Sequence, residues 1–215
     1  VLTNAIYFHG TWVTPFNPQK TVNRPFNITP TQQIDVPTMQ LPPTEAVSMA
    51  ELDGLKVLEM PYVGNRLSMI VLLPEKADGL SQLEQRLKSE NLQKWLSSVS
   101  FSQYPVQVSL PKFKVTGDFE LKQTLSQLGM PSAFGDSADF SGMNGKKDLS
   151  LSAVVHKTFI SVNESGTEAA GATGVVAGTR GGGRRFQADH PFIFLIRDRQ
   201  SESILFLGRV VNPLE

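Results

Sequence analysis

This chain of 215 residues contains no cysteine, which excludes a disulfide framework and any thiolate metal site. Its only histidines are His9, His156 and His190, and no two stand at the spacing of metal ligands. No metal and no cofactor is therefore expected. Net charge is zero, from 20 basic and 20 acidic residues, so there is no bulk attraction to nucleic acid or to an anionic membrane. Long hydrophobic runs are missing too: Phe192 to Ile196 is among the longest and is far too short to span a bilayer. The G-x-S-x-G elbow and the dinucleotide fingerprint do not occur. Ser141 to Lys147 carries glycine and lysine but lacks the phosphate-loop spacing. An enzyme active site is not expected.

The composition that remains is that of an ordinary globular chain, 40% apolar and 19% charged. Val1 opens directly into Leu2 to Phe8, β-branched and aromatic, which reads as a buried strand. A chain that begins inside a strand is expected to continue a preceding segment. Leu55 to Pro61 and Leu67 to Leu73 read as strands joined by the turn Val63-Gly64-Asn65-Arg66. Leu80, Leu83, Leu87, Leu92, Trp95 and Leu96 recur at helical spacing, with a break expected at Ser89 to Asn91. Val106 to Val115 reads as one strand, placed at an edge or bulge by Pro111. Asp118 is placed to cap a helix from Phe119 to Leu128 that Gly129 ends. Leu149 to Val162 is a long strand candidate, and Asp198-Arg199-Gln200-Ser201 separates two closing strands. The fold class is α+β with large, mostly antiparallel sheets. Two N-x-S/T sequons start at Asn27 and Asn163.

From Gly166 to Arg185 large apolar residues stop and seven of the twenty positions are glycine. In an extended conformation Thr167, Ala169, Gly171, Thr173, Val175 and Ala177 share one face, uncharged and without bulk. Such a face can be buried without desolvating a charge. Glu168 falls on the other face. Two readings stand on these residues alone: a flexible Gly/Ala linker, or a strand that is exposed now and able to join a sheet later.

The rest of the chain favours the second. Val154 to Ala170, VVHKTFISVNESGTEAA, resembles the signature that leads into the reactive-centre loop of serpins, suicide inhibitors of serine proteases. Asn4 to Trp12 resembles the family's central strand, and Leu58 to Tyr62 with Leu67 to Met69 its second sheet. Asp139 to Met143, Ala188 to Phe194 and Phe206 to Pro213 are similar to further serpin segments, all in the family's order. The resemblance implies a serpin-like α+β fold with an exposed reactive-centre loop at about 165–185. It also implies that residues 1–215 are the C-terminal part of one serpin domain, with several helices and strands preceding Val1.

The resemblance further implies a protease inhibitor, not an enzyme, and a secreted, extracellular location. In this family the protease's serine attacks the loop, and the cut loop then enters the central sheet as a new strand. The hinge would comprise Glu164, Gly166, Thr167, Glu168, Ala169, Ala170, Ala172 and Thr173. Counting about fifteen residues from Gly166 puts the reactive bond at Arg180–Gly181, with Arg184 and Arg185 as alternatives. Arginine there implies a trypsin-like serine protease as partner. Asn4 and His156 would form a hydrogen bond that keeps the sheet closed, and Trp12 would lie near the point where the loop goes in. The helix that carries a glycosaminoglycan site in the family precedes Val1. The alternative is a non-inhibitory serpin acting as carrier, chaperone or binding module, or an inactive fragment.

Overall fold

The computed structural model describes residues 1–99, 104–167 and 184–215. In chain order the elements are β1 (Leu2–Tyr7), β2 (Gly10–Thr11), β3 (Val22–Thr29), β4 (Gln32–Thr44), β5 (Ser48–Leu52), β6 (Leu55–Pro61), β7 (Leu67–Pro74), α1 (Leu80–Arg86) and α2 (Ser89–Val99). There follow β8 (Val106–Pro111), β9 (Phe113–Glu120), α3 (Lys122–Gln127), α4 (Ser141–Asn144), β10 (Val154–Asn163), β11 (Gly166–Thr167), β12 (Arg184–Gln187), β13 (Phe192–Asp198) and β14 (Ile204–Val210). This is an α+β fold dominated by sheet. The chain divides into two compact units, 1–8 with 115–160, and 9–114 with 161–215.

The larger unit holds a five-stranded antiparallel sheet in the order β14-β13-β7-β6-β5. β7 and β13 are buried along almost their whole length, as expected of their apolar runs Met69 to Leu73 and Phe192 to Ile196. One face of this sheet packs against the helices through Leu83, Trp95, Leu96 and Val99 over Val57, Ile70, Leu72 and Leu195. The helices break at Leu87 and Lys88, two residues earlier than the sequence suggests, and Ser89 opens α2. The turn between β6 and β7 forms as expected, with Gly64 and Asn65 at φ 89° and 56°. At the other end of the sheet Glu59 is buried between Arg197 (3.0 Å) and Arg199 (3.2 Å) and also accepts from Ser68.

The same unit holds a four-stranded sheet, β12-β8-β4-β3. β3 and β4 form a long hairpin that the sequence reading passes over. β4 carries Pro37, Pro42 and Pro43, which depress strand signals. The ladder accommodates them: the β4–β8 register shifts between Leu41 and Thr44, and the carbonyl of Pro37 accepts from the Lys112 amide at 2.9 Å. Pro111 faces Thr38 of β4 and lies beyond the β12 ladder, which ends at Ser109. It is the last residue of β8, an inner strand, and it divides the expected Val106–Val115 strand into β8 and β9.

In the smaller unit β1 runs parallel to β10, from Leu2 opposite Val154 to Tyr7 opposite Phe159. β9 lies on the other side of β10. The expectation of a buried first strand is corrected: all six residues of β1 are exposed. Its hydrogen-bonded neighbour is β10, and pairing along an edge covers the backbone without covering either face. Asp118 does not cap a helix. It lies within β9 and pairs with Lys157 at 3.0 Å, and α3 starts four residues later. β10 begins at Val154 rather than Leu149, because the Leu151 amide bonds to the carbonyl of Ala133 instead of to a strand.

Candidate functional site

The end of β10 turns back on itself at 163–166 and continues as β11, with Val162 opposite Thr167 and Asn163 opposite Gly166. The turn is fixed by Asn163, whose side-chain oxygen accepts from the Ser165 amide at 3.0 Å. β11 pairs on its other edge with β2, Gly166 opposite Thr11 and Thr167 opposite Gly10. The first two residues after the turn are thus held between two strands. Gly166 has φ 152°, and a Cβ there would land on the carbonyl oxygen of Gly10 and 2.9 Å from the Cα of Thr11. Only glycine fits that approach.

Side chains seal this corner. Thr167 is fully buried, and its hydroxyl is 2.7 Å from that of Tyr62. The Tyr62 ring stacks on Trp12 at 4.6 Å and 13°. Burial pushes the Tyr62 phenol well above its ordinary value, so it is a neutral hydrogen-bonding group at any physiological pH. Trp12 donates from its indole nitrogen to the carbonyl of Asn163 at 3.1 Å, and its amide donates to Ser165. Glu164 is buried, accepts from the Thr21 hydroxyl at 2.8 Å and pairs with Lys112 at 3.0 Å. Burial by itself would raise its carboxyl. Bonds from its own amide, Thr21 and Lys112 outweigh this and hold it below the ordinary carboxylate range. Trp12, Glu164, Gly166 and Thr167 are therefore brought into one cluster.

Tyr62, Thr21 and Lys112 were not foreseen as members of it. Their signal is three-dimensional: Thr21 and Glu164 are 143 positions apart, Tyr62 and Thr167 105. Asn4 and His156 do meet, in the smaller unit, with Asn4 Oδ1 3.0 Å from His156 Nδ1. They are register partners in the β1–β10 pair. Asn4 is exposed and His156 half-buried, with Phe119 stacked 6.3 Å away. Glu168, Ala169, Ala170, Ala172, Thr173, Arg180 and Gly181 lie outside the described residues.

Arg184 and Arg185 belong to β12, in parallel register with Val106 and Gln107 of β8. The Arg184 amide donates to Pro105, and its guanidinium donates to the carbonyl of Met49 at 2.9 Å. A protease reads its substrate as an extended, unpaired strand. A bond next to either residue would have to leave the sheet first.

A family model described as Serpin (serine protease inhibitor) matches residues 1–213. The chain is 42% identical to the leukocyte elastase inhibitor of Bos taurus, over 99% of this chain and 58% of that protein. It is 42% identical to Serpin B3 of Homo sapiens, over 99% and 55%. The crystal structure of Serpin48 from the insect Tenebrio molitor superposes with a TM-score of 0.85 at 36% identity, covering 98% of this chain and 55% of that one. Human thyroxine-binding globulin, solved in complex with thyroine, superposes with a TM-score of 0.83 at 32% identity, over 99% of this chain and 56% of that one. The chain spans a little over half the length of the curated relatives it matches.

Proposed function

The chain belongs to the serpin family, and from that premise we propose that it is the reactive, C-terminal part of an inhibitor that traps a trypsin-like serine protease at Arg180–Gly181. The protease's serine oxygen attacks the carbonyl carbon of Arg180 and the bond to Gly181 breaks. The amine of Gly181 takes the proton, and Arg180 remains as an ester on the protease. Loop insertion then distorts the protease before water can hydrolyse that ester.

The observation that carries this reading is the register of β11 on β10. That register pairs Val162 with Thr167 and Asn163 with Gly166; a loop inserted in the same antiparallel register would bring Ala169 opposite Ile160, Gly171 opposite Thr158, Thr173 opposite His156 and Val175 opposite Val154. Residues opposite one another share a face. Val162, Ile160 and Val154 are buried. The loop face that would meet theirs on insertion is the small, uncharged one, and Glu168 would fall on the opposite face. Insertion would break one ladder, β1 with β10, and make two. The net gain is about one ladder for about eight residues, on the order of 4–12 kcal/mol at roughly 0.5–1.5 kcal/mol per bond.

The corner cluster acts as a catch in this reading. Tyr62, Trp12 and Lys112 hold the hinge's first residues in place, and the Asn4–His156 bond holds β1 to β10. The pairing of β12 favours Arg180 over Arg184 and Arg185 as the bait. In the test, the longer inhibitor that contains this chain is mixed with trypsin. A complex that survives denaturing electrophoresis, with a released peptide starting at Gly181, is expected. A peptide starting at Arg185 or Phe186 would overturn the bait assignment.

A carrier role has one observation in its favour. A cleft of about 830 Å³ lies in the larger unit, lined by Leu92 and Leu96 of α2 and by Arg66, Arg197 and Arg199. A thyroxine-binding globulin is among the chain's structural relatives. Clean cleavage by trypsin without complex, together with ligand-dependent stabilisation, is the outcome that reading requires.

A further inference from the structure

The two arginines at the start of β12 are not equivalent. Arg184 is half-buried and tied down twice, by its amide to Pro105 and by its guanidinium to Met49. Side chains alternate along a strand, and Phe186, on the same side as Arg184, is fully buried. Arg185 therefore projects from the opposite face. It is exposed, and among the described residues no hydrogen bond or ion pair of its side chain is present. Tyr104, also exposed, adjoins the Pro105 that anchors this strand. A guanidinium without a partner among the described residues is thus presented from a strand paired in a sheet.

We infer that Arg185 is a specificity-determining residue that selects proteases with an acidic rim on the primed side of the cleft, the side that takes the residues after the cut bond. This rests on the reading of Arg180–Gly181 as the bait. Only Gly181, Gly182 and Gly183 separate that bond from β12. Four residues reach at most about 14 Å. A protease domain of about 200 residues has a radius of gyration of about 16 Å, so its body overhangs Arg185 whenever Arg180 occupies its pocket. The three glycines offer the primed subsites no side chain. The first discriminating group that the protease meets after the bond is then a fixed positive charge. A rim charge of this kind acts on encounter more than on the chemical step, and its effect is screened by salt.

The test uses the longer inhibitor and two forms of one trypsin-like protease, carrying Glu or Lys at a single position on the primed-side rim. With Arg185 present, the Glu form is expected to associate roughly 3–10-fold faster at low salt, as rim charges do. Arg185→Lys should keep that preference and Arg185→Glu should reverse it. The preference should vanish near 0.5 M salt, while the number of inhibitors consumed per trapped protease stays constant. A change that slows both forms equally would mark Arg185 as merely structural and overturn the inference. So would rates indifferent to the rim charge. If the unmodified inhibitor traps neither form, the inhibitory reading itself falls, and this inference with it.

Discussion

Replacing Tyr62 by Phe removes one oxygen and leaves the ring stacked on Trp12. It isolates the Tyr62–Thr167 hydrogen bond, 2.7 Å long between two buried hydroxyls. The Thr167 hydroxyl would lose that partner inside a sealed corner. A buried polar group left without its bond costs about 1–3 kcal/mol. Thr167→Val removes the other half at nearly constant volume and should cost a similar amount. With both changes no polar atom of the pair remains, so the double variant should be less destabilised than the sum of the two. The expected coupling is about 1–2 kcal/mol, measured as a double-mutant cycle from urea unfolding at a fixed slope. If this bond holds the proposed hinge, each single variant should also shorten the lifetime of the uninserted state on warming. Strict additivity, with no loss in Tyr62→Phe, would refute the idea that Thr167 is latched by Tyr62.

Two further outcomes follow from the same corner. Glu164 holds its proton less readily in the fold than in the unfolded chain, since its carboxyl lies below the ordinary 4.5. Its stabilisation is therefore complete above that value and is lost as pH falls through it toward the native one. Glu164→Gln should flatten the acid limb of a stability–pH profile, and an unchanged limb would contradict the assignment. Gly166→Ala should cost more than about 1 kcal/mol, because its Cβ meets the Gly10 backbone and its φ is unfavourable for any other residue. Thermal unfolding identical to that of the parent would show that β2 does not approach β11 as described.

Sequence legibility followed how local each signal was. β7 and β13 contain the apolar runs Met69 to Leu73 and Phe192 to Ile196, ended by Pro74 and by Arg197, and such runs are readable. β3 and β4 were not readable, because proline usually argues against an inner strand and here a register shift absorbs it. Asp118 misled as a helix cap because its partner, Lys157, is remote in sequence. The segment around Gly166 resembles a hinge in sequence, and Glu164, Gly166 and Thr167 lie together in the structure. The reasons they do so are Thr21, Tyr62 and Lys112, each ordinary in its own segment. Pairing across more than fifty residues leaves no trace in local pattern. The Asn4–His156 contact is implied by resemblance alone, and the two residues do lie opposite one another in the β1–β10 pair.

The central claim is that the cut loop must pass between β1 and β10. Thr3 and Val155 are register partners across that seam, and this chain has no cysteine to interfere. A cysteine pair at these two positions, in the longer inhibitor, would lock the seam when oxidised and free it when reduced. The account predicts that the reduced protein traps trypsin as a complex stable to denaturation, whereas the oxidised protein is cut after Arg180 and releases active protease. Equal trapping in both states, with the cross-link verified by mass spectrometry, would contradict insertion between these strands.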